Sequence, residues 1–327
     1  MGAGALTRPA ALRAAMTASN AHPPGRGASG PTRVFAEIVL SYAAGFTPNP
    51  VEGNEQMRTT SKIVVLAAAA ALMFAATGCD KLRARDQLNK GVASFKNLRY
   101  EQATDHFKKA VELDPSLQNA KLYLAAAYFA QYIPGVDSPE NLQNANLAIA
   151  QYNAVLDRDP NNINSIKGIA ILDLQMKKFD DAKKYYRKAV ELDRNDPEAY
   201  YSVGMIDWTQ AYQTRTEARN KLGMRPDEAI KDKKVCVQLR EQDGQVIQDG
   251  LDNLNKAIQL RPDYDDAMAY LNLVYRERAD RECDTPEQSA ADTKSANEWS
   301  DKVMEVRKVR SEKQANKSTG ITLDQPK

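Results

Sequence analysis

Few side chains in this sequence could form or accept a covalent bond, and their spacing restricts what chemistry they could do. The 327 residues include three cysteines and two histidines. A histidine zinc site, a Ser-His-Asp triad or a Cys-His dyad needs more imidazoles than that. His22 lies far upstream, and His106 falls beside Lys108 and Lys109 on a helix, where a solvated surface role is expected. Asp263, Asp265 and Asp266 form an acidic cluster, but the Gly and distal Glu of a calcium loop are missing. At a helix start these carboxylates are expected to cap free N–H groups and to complement the helix dipole. Other Glu and Asp residues recur beside Lys and read as solvated faces. No catalytic residue, metal-ligand set or cofactor is expected, and the chain does not read as an enzyme.

The cysteines carry the remaining chemistry. Arg58 and Lys62 precede an apolar run, Ile63 to Ala76, that has the length of a secretory signal. The run is too short to cross a bilayer core, which takes about 20 residues. It ends in Ala76-Thr77-Gly78-Cys79, which resembles the bacterial lipobox, with Ala76 where Leu is usual. The resemblance implies that 57–78 is a lipoprotein signal peptide and that Cys79 is acylated and becomes the mature N-terminus. Two acyl chains suffice for stable anchoring, at about 0.8 kcal/mol per buried CH₂. A plain cleaved signal or an uncleaved anchor are the alternatives. Residues 1–56, rich in Ala, Gly and Pro, read as an extension upstream of a true start at Met57, or as a disordered tail. The expected location is the bacterial cell envelope, lipid-anchored and facing the periplasm, on either membrane. From Cys79 onward 39 basic and 40 acidic side chains are interleaved, which leaves no electrostatic footprint for a nucleic acid.

The elements behind these residues show a period of about 34 residues. FKKAVELDP (107–115) and YRKAVELDR (186–194) are close copies, LNKAIQLRP (254–262) is a relative, and YNAVLDRDP (152–160) is a looser one. Their spacing puts Ala103, Phe107 and Ala110 on one helical face, and Ala182, Tyr186 and Ala189 on another. Small residues recur upstream at Gly91, Ala125, Ala170 and Gly204, where helix backbones can approach closely. The pattern resembles the tetratricopeptide repeat, two antiparallel helices per 34 residues. The resemblance implies an all-α, right-handed superhelix of about five hairpins over 79–310: 84–117, 118–162, 163–196, 197–264 and a degenerate capping pair at 265–310. Gln87 replaces the aromatic of the first helix. The second repeat carries about eleven extra residues around Tyr132–Pro139. The fourth carries 34 more, expected as an elongated helical hairpin projecting beyond the superhelix. Residues 311–327 read as a disordered tail.

The family's groove positions fall on Leu122, Ala126 and Phe129, on Ile171 and Leu174, and on Tyr201, Met205 and Trp208. They imply a groove that takes a partner helix or an extended apolar segment, unless the insertions cover it. Lys167 occupies one slot of a carboxylate clamp, but Ile171 stands where the clamp needs Asn. The functions implied are an envelope scaffold or adaptor that binds an unknown protein or peptide and, alternatively, a glycan-binding surface lipoprotein on the same chassis. With Cys79 acylated, Cys236 and Cys283 are the remaining thiols in an oxidising compartment. Counted along their helices they stand roughly 36 and 28 Å from the same turn. A disulfide between them is expected.

Overall fold

The computed structural model describes residues 79–225, 228 and 230–318. The expected signal peptide, the 1–56 extension and the last residues of the chain lie outside that set. Ten helices and no strand occur among the described residues. They are α1 (79–96), α2 (Tyr100–Leu113), α3 (Gln118–Gln131), α4 (Pro139–Leu156), α5 (Ile163–Gln175), α6 (Phe179–Leu192), α7 (Pro197–Lys221), α8 (Lys233–Leu260), α9 (Asp265–Ala279) and α10 (Pro286–Ser318). The chain divides into two units between Ala120 and Lys121, inside α3, where the sequence suggested one domain.

In the first unit α1 and α2 form a hairpin. A Cβ added to Gly91 would lie 2.4 Å from the Phe107 ring, so only glycine allows this approach. Gln87, in the slot of the missing aromatic, lies 2.8 Å from His106 Nδ1. His106 is therefore a half-buried partner across the hairpin and not a solvated surface group. α1 already includes Cys79, so the first helix starts ahead of the repeat boundary expected at 84. Lys81 to Lys90 is mostly Leu, Arg, Lys, Ala and Gln, all good helix formers, with no Gly or Pro, so nothing interrupts the helix there.

In the second unit each helix from α4 to α10 packs on the next, and α7 also packs on α9. Such nearest-neighbour stacking makes a helical solenoid. The small-residue slot at Gly204 is a point of closest approach, where a Cβ would lie 2.6 Å from Leu254 Cγ. Gly168, outside the slots read from the sequence, is another, where a Cβ would lie 2.5 Å from the Tyr152 ring. Ala170, Ala182, Tyr186, Ala189, Val203 and Ile206 join one core across α5, α6 and α7. Leu251, Leu254, Ala257, Ala267 and Leu271 join the next across α8 and α9.

The same turn closes three first helices. Leu98 N–H donates to Phe95 O and Arg99 N–H to Ser94 O, both at 3.0 Å. Lys177 and Lys178 repeat the pattern onto Leu174 and Asp173, and Gly223 and Met224 repeat it onto Asn220 and Arg219. This is the Schellman arrangement, whose central residue needs a left-handed backbone. Leu98 and Lys177 adopt it at φ +60° and Gly223 at +65°.

The insertion in the second repeat is a loop, 132–138, followed by an 18-residue α4. Asn141, 6% exposed, ties this loop down. Its side chain accepts from Ile133 N–H at 2.7 Å and donates to Ile133 O at 2.8 Å and Val136 O at 2.7 Å. Ser138 accepts from Asn141 N–H as the helix cap.

The long hairpin of α7 (25 residues) and α8 (28 residues) does not project alone. Its far end is covered by the end of α9 and the turn at 280–285, through buried ion pairs. α10 continues through Ser318, past the point where the sequence placed the end of the last repeat.

Candidate functional site

Of the eight groove residues, Leu122, Ala126, Phe129, Ile171, Leu174, Tyr201 and Trp208 are half-buried. Met205 is 7% exposed and belongs to the core instead, because α7 is packed by α6, α8 and α9 at once. Ile171 and Leu174 rest against the α5–α6–α7 core. Tyr201 and Trp208 rest against the α7–α8–α9 core.

The structure brings the aromatics of α7 and α9 together. Tyr201 lies 5.0 Å from Tyr264 and 5.6 Å from Tyr270, ring centre to ring centre. Trp208 meets Tyr270 edge-on at 5.3 Å and stacks on Tyr212 at 5.2 Å, and the Arg215 guanidinium lies 5.5 Å from the Tyr212 ring. Tyr201, Trp208, Tyr212 and Arg215 therefore form a ladder at helical spacing along α7, with Tyr212 40% exposed. Burial pushes the Tyr201 phenol far up, reinforced by Tyr270 and Tyr264, so it stays neutral. Tyr264 and Tyr270 lie outside the first-helix positions the sequence considered, although their spacing from Asp265 already placed them at the start of the next repeat.

Lys167 donates to Asp196 Oδ2 at 2.6 Å. Asp196 caps α7 by accepting from Glu198 and Ala199 N–H groups. The clamp lysine is thus occupied by a carboxylate of its own chain.

Residues 142–205 match the tetratricopeptide-repeat family model. This chain contains tetratricopeptide repeats. Similar solved structures include the MamA protein, 14% identical over 75% of this repeat chain and 98% of that one, with a TM-score of 0.47. MamA 41-end from Desulfovibrio magneticus RS-1 is 17% identical over 69% and 96%, with a TM-score of 0.48. YrrB, described as a TPR protein with an unusual peptide-binding site, is 17% identical over 67% and 84%, with a TM-score of 0.44. No curated protein matches the repeat sequence.

Charge within the repeat protein departs from the expected solvated faces. Arg281 is 1% exposed. It donates to Asp243 Oδ2 at 2.6 Å, to Glu277 Oε2 at 3.0 Å and to the Ala211 carbonyl at 2.8 Å. Arg215 reaches Glu277 at 2.7 Å and Asp280 at 2.7 Å, and Arg240 reaches Asp284 at 2.6 Å. A buried arginine of this kind is tolerable only because carboxylates and carbonyls surround it. Asp207, fully buried on α7, pairs with Lys183 of α6. Burial pushes its carboxyl up to about 6, against the pull of Lys183.

The acidic cluster at 263–266 meets expectation in part: Asp265 and Asp266 stand in the first turn of α9, where they complement the helix dipole, but the expected capping is missing. α9 has no side-chain cap. Asp265 instead takes Arg307 and Arg310 of α10, each at 2.8 Å. Burial would raise its carboxyl, but those two guanidinium groups outweigh it and hold it low. Among the described residues no group of three or more His, Cys, Asp or Glu side chains is placed to hold a metal ion. Cys236 and Cys283 form a disulfide with Cα atoms 6.2 Å apart, and Cys79 is a free, exposed thiol.

Proposed function

We propose that this protein is a binding scaffold and not an enzyme: a lipid-anchored adaptor of the bacterial cell envelope that docks an apolar protein segment against α5, α7 and α9. The aromatic ladder of α7 carries this reading. Half-buried aromatic rings held rigid by neighbouring rings present large contact area at little cost in side-chain entropy. YrrB's description as a peptide-binding TPR protein is consistent with the same use of the fold. The glycan alternative needs aromatic platforms open to solvent, and of this ladder Tyr212 alone is exposed.

A photo-reactive side chain at Tyr212 should crosslink one envelope protein in intact membranes, and the same group at Lys184 on α6 should not. Equal capture at both positions would remove the groove from the proposal. Anchoring rests on the lipobox-like run before Cys79, whose exposed thiol leads directly into α1. Intact-mass measurement of the membrane-purified protein tests it, and a mature chain with an unmodified Cys79 is the refuting result.

A further inference from the structure

The two sulfurs of the disulfide are not equivalent. Cys236, on the first turn of α8, is 1% exposed, and its Sγ lies 3.2 Å from Arg281 O. Cys283 stands in the turn between α9 and α10 and is half-buried. It lines an open depression of about 790 Å³, walled by Ala279, Asp280 and Glu282 on one side and by Pro286, Ser289 and Ala290 on the other. Thiol–disulfide exchange needs the attacking thiolate, the attacked sulfur and the leaving sulfur nearly in line, and its rate depends on which sulfur is accessible. A thiolate entering the depression meets Cys283 first, while Cys236 is enclosed.

We propose that Cys283 is the exchange sulfur of this disulfide, and that the depression admits the active thiol of a dithiol–disulfide oxidoreductase. In forming the bond, the Cys283 thiolate attacks the oxidoreductase disulfide. One S–S bond forms at Cys283, and the second oxidoreductase sulfur leaves as a thiolate. The Cys236 thiolate then attacks Cys283 Sγ, closing the intramolecular bond and expelling the first oxidoreductase sulfur. The cysteine pair loses two electrons, the oxidoreductase disulfide gains them, and the two protons pass to the departing thiolates. Reduction runs the same steps backwards, with Cys236 as the leaving group. The carbonyls of Arg281 and Ile230 lie beside Cys236 Sγ and Cys283 Sγ and offer acceptors to the thiols once the bond opens. The proposal is independent of the groove and of the lipid anchor.

The test uses the full oxidised chain carrying Cys79→Ser, exposed briefly to reduced glutathione under native conditions, quenched with acid and mapped by mass spectrometry. The glutathione adduct should favour Cys283 over Cys236 by about tenfold or more, as accessibility control of exchange requires. The bias should vanish in denaturant. Ala290→Trp, from an exposed position on the depression wall, should slow adduct formation several-fold with thermal unfolding unchanged. Adducts shared equally, or mainly on Cys236, overturn the proposal. So does a bias that survives denaturation, or an Ala290→Trp rate equal to that of the parent.

Discussion

Gly204 of α7 and Leu254 of α8 are in direct contact, closer than any residue with a side chain would allow. A Cβ at 204 would meet Leu254 Cγ at 2.6 Å and the Gly250 carbonyl oxygen at 3.0 Å. Gly→Ala in a helix interior is ordinarily worth up to about 1 kcal/mol in favour of Ala. Here overpacking against backbone reverses the sign, so Gly204→Ala should destabilise the fold by roughly 1–3 kcal/mol. Gly244, on the open side of α8 with nothing within 4 Å of a would-be Cβ, should behave normally. Gly244→Ala is expected to stabilise by about 1 kcal/mol. Denaturant unfolding of the two variants side by side gives opposite signs if the close approach is real.

The two left-handed turn residues that are not glycine, Leu98 and Lys177, offer a gain. Leu98 is 71% exposed at φ +60°, so replacing it loses little packing. A side chain in that region costs about 1–2 kcal/mol, partly offset by the greater freedom of glycine in the unfolded chain. Leu98→Gly should raise stability by roughly 0.5–1 kcal/mol, and Lys177→Gly should do the same. A fall in midpoint for both would contradict the turn geometry.

Removing Arg281 should be costly. Asp243 would remain buried without its cation and Glu277 would keep Arg215 alone, and breaking a buried pair from one side typically costs about 3–5 kcal/mol. Arg281→Met keeps an unbranched stem in place, so the loss measured by chemical denaturation reports chiefly the missing guanidinium with its charge and hydrogen bonds. A change below about 1 kcal/mol would mean that water or rearranged partners satisfy the two carboxylates.

Asp207 makes stability depend on pH. Its folded-state carboxyl titrates near 6, above the ordinary 3.8, so between those values the folded protein binds more protons than the unfolded chain. Stability from this group is therefore highest in acid and is lost as pH rises through about 6. Going from pH 7 to pH 5, the wild type should gain roughly 1 kcal/mol relative to Asp207→Asn. Parallel pH profiles for the two proteins would show that Lys183 holds the carboxylate charged throughout.

The repeat itself was legible in the sequence because its signal is local. Phe107, Tyr186 and Leu254 recur beside small residues at fixed offsets, and each pair reports one helix crossing that the chain must make within its own hairpin. The aromatic row of α7 was partly legible for the same reason: Tyr201 and Trp208 fall on repeat positions. Tyr264 and Tyr270 complete it only because α9 stacks on α7.

By itself, then, the sequence determined which segments are helices, where they turn and where two backbones must nearly touch, since period, glycine placement and proline stops act within tens of residues. It also singled out Cys236 and Cys283, by elimination and by helix arithmetic. Tertiary structure alone decided the charges. Asp243, Glu277 and Arg281 sit in stretches as polar as any solvated face, and nothing local distinguishes them from surface residues. They are buried because the long α7–α8 hairpin is packed on by α9 and closed by its turn, which puts residues 38 and 62 positions apart within hydrogen-bonding distance. That packing also covers one cysteine and leaves the other at the edge of an open depression. Burial depends on which neighbour covers a face, and no helical period encodes it.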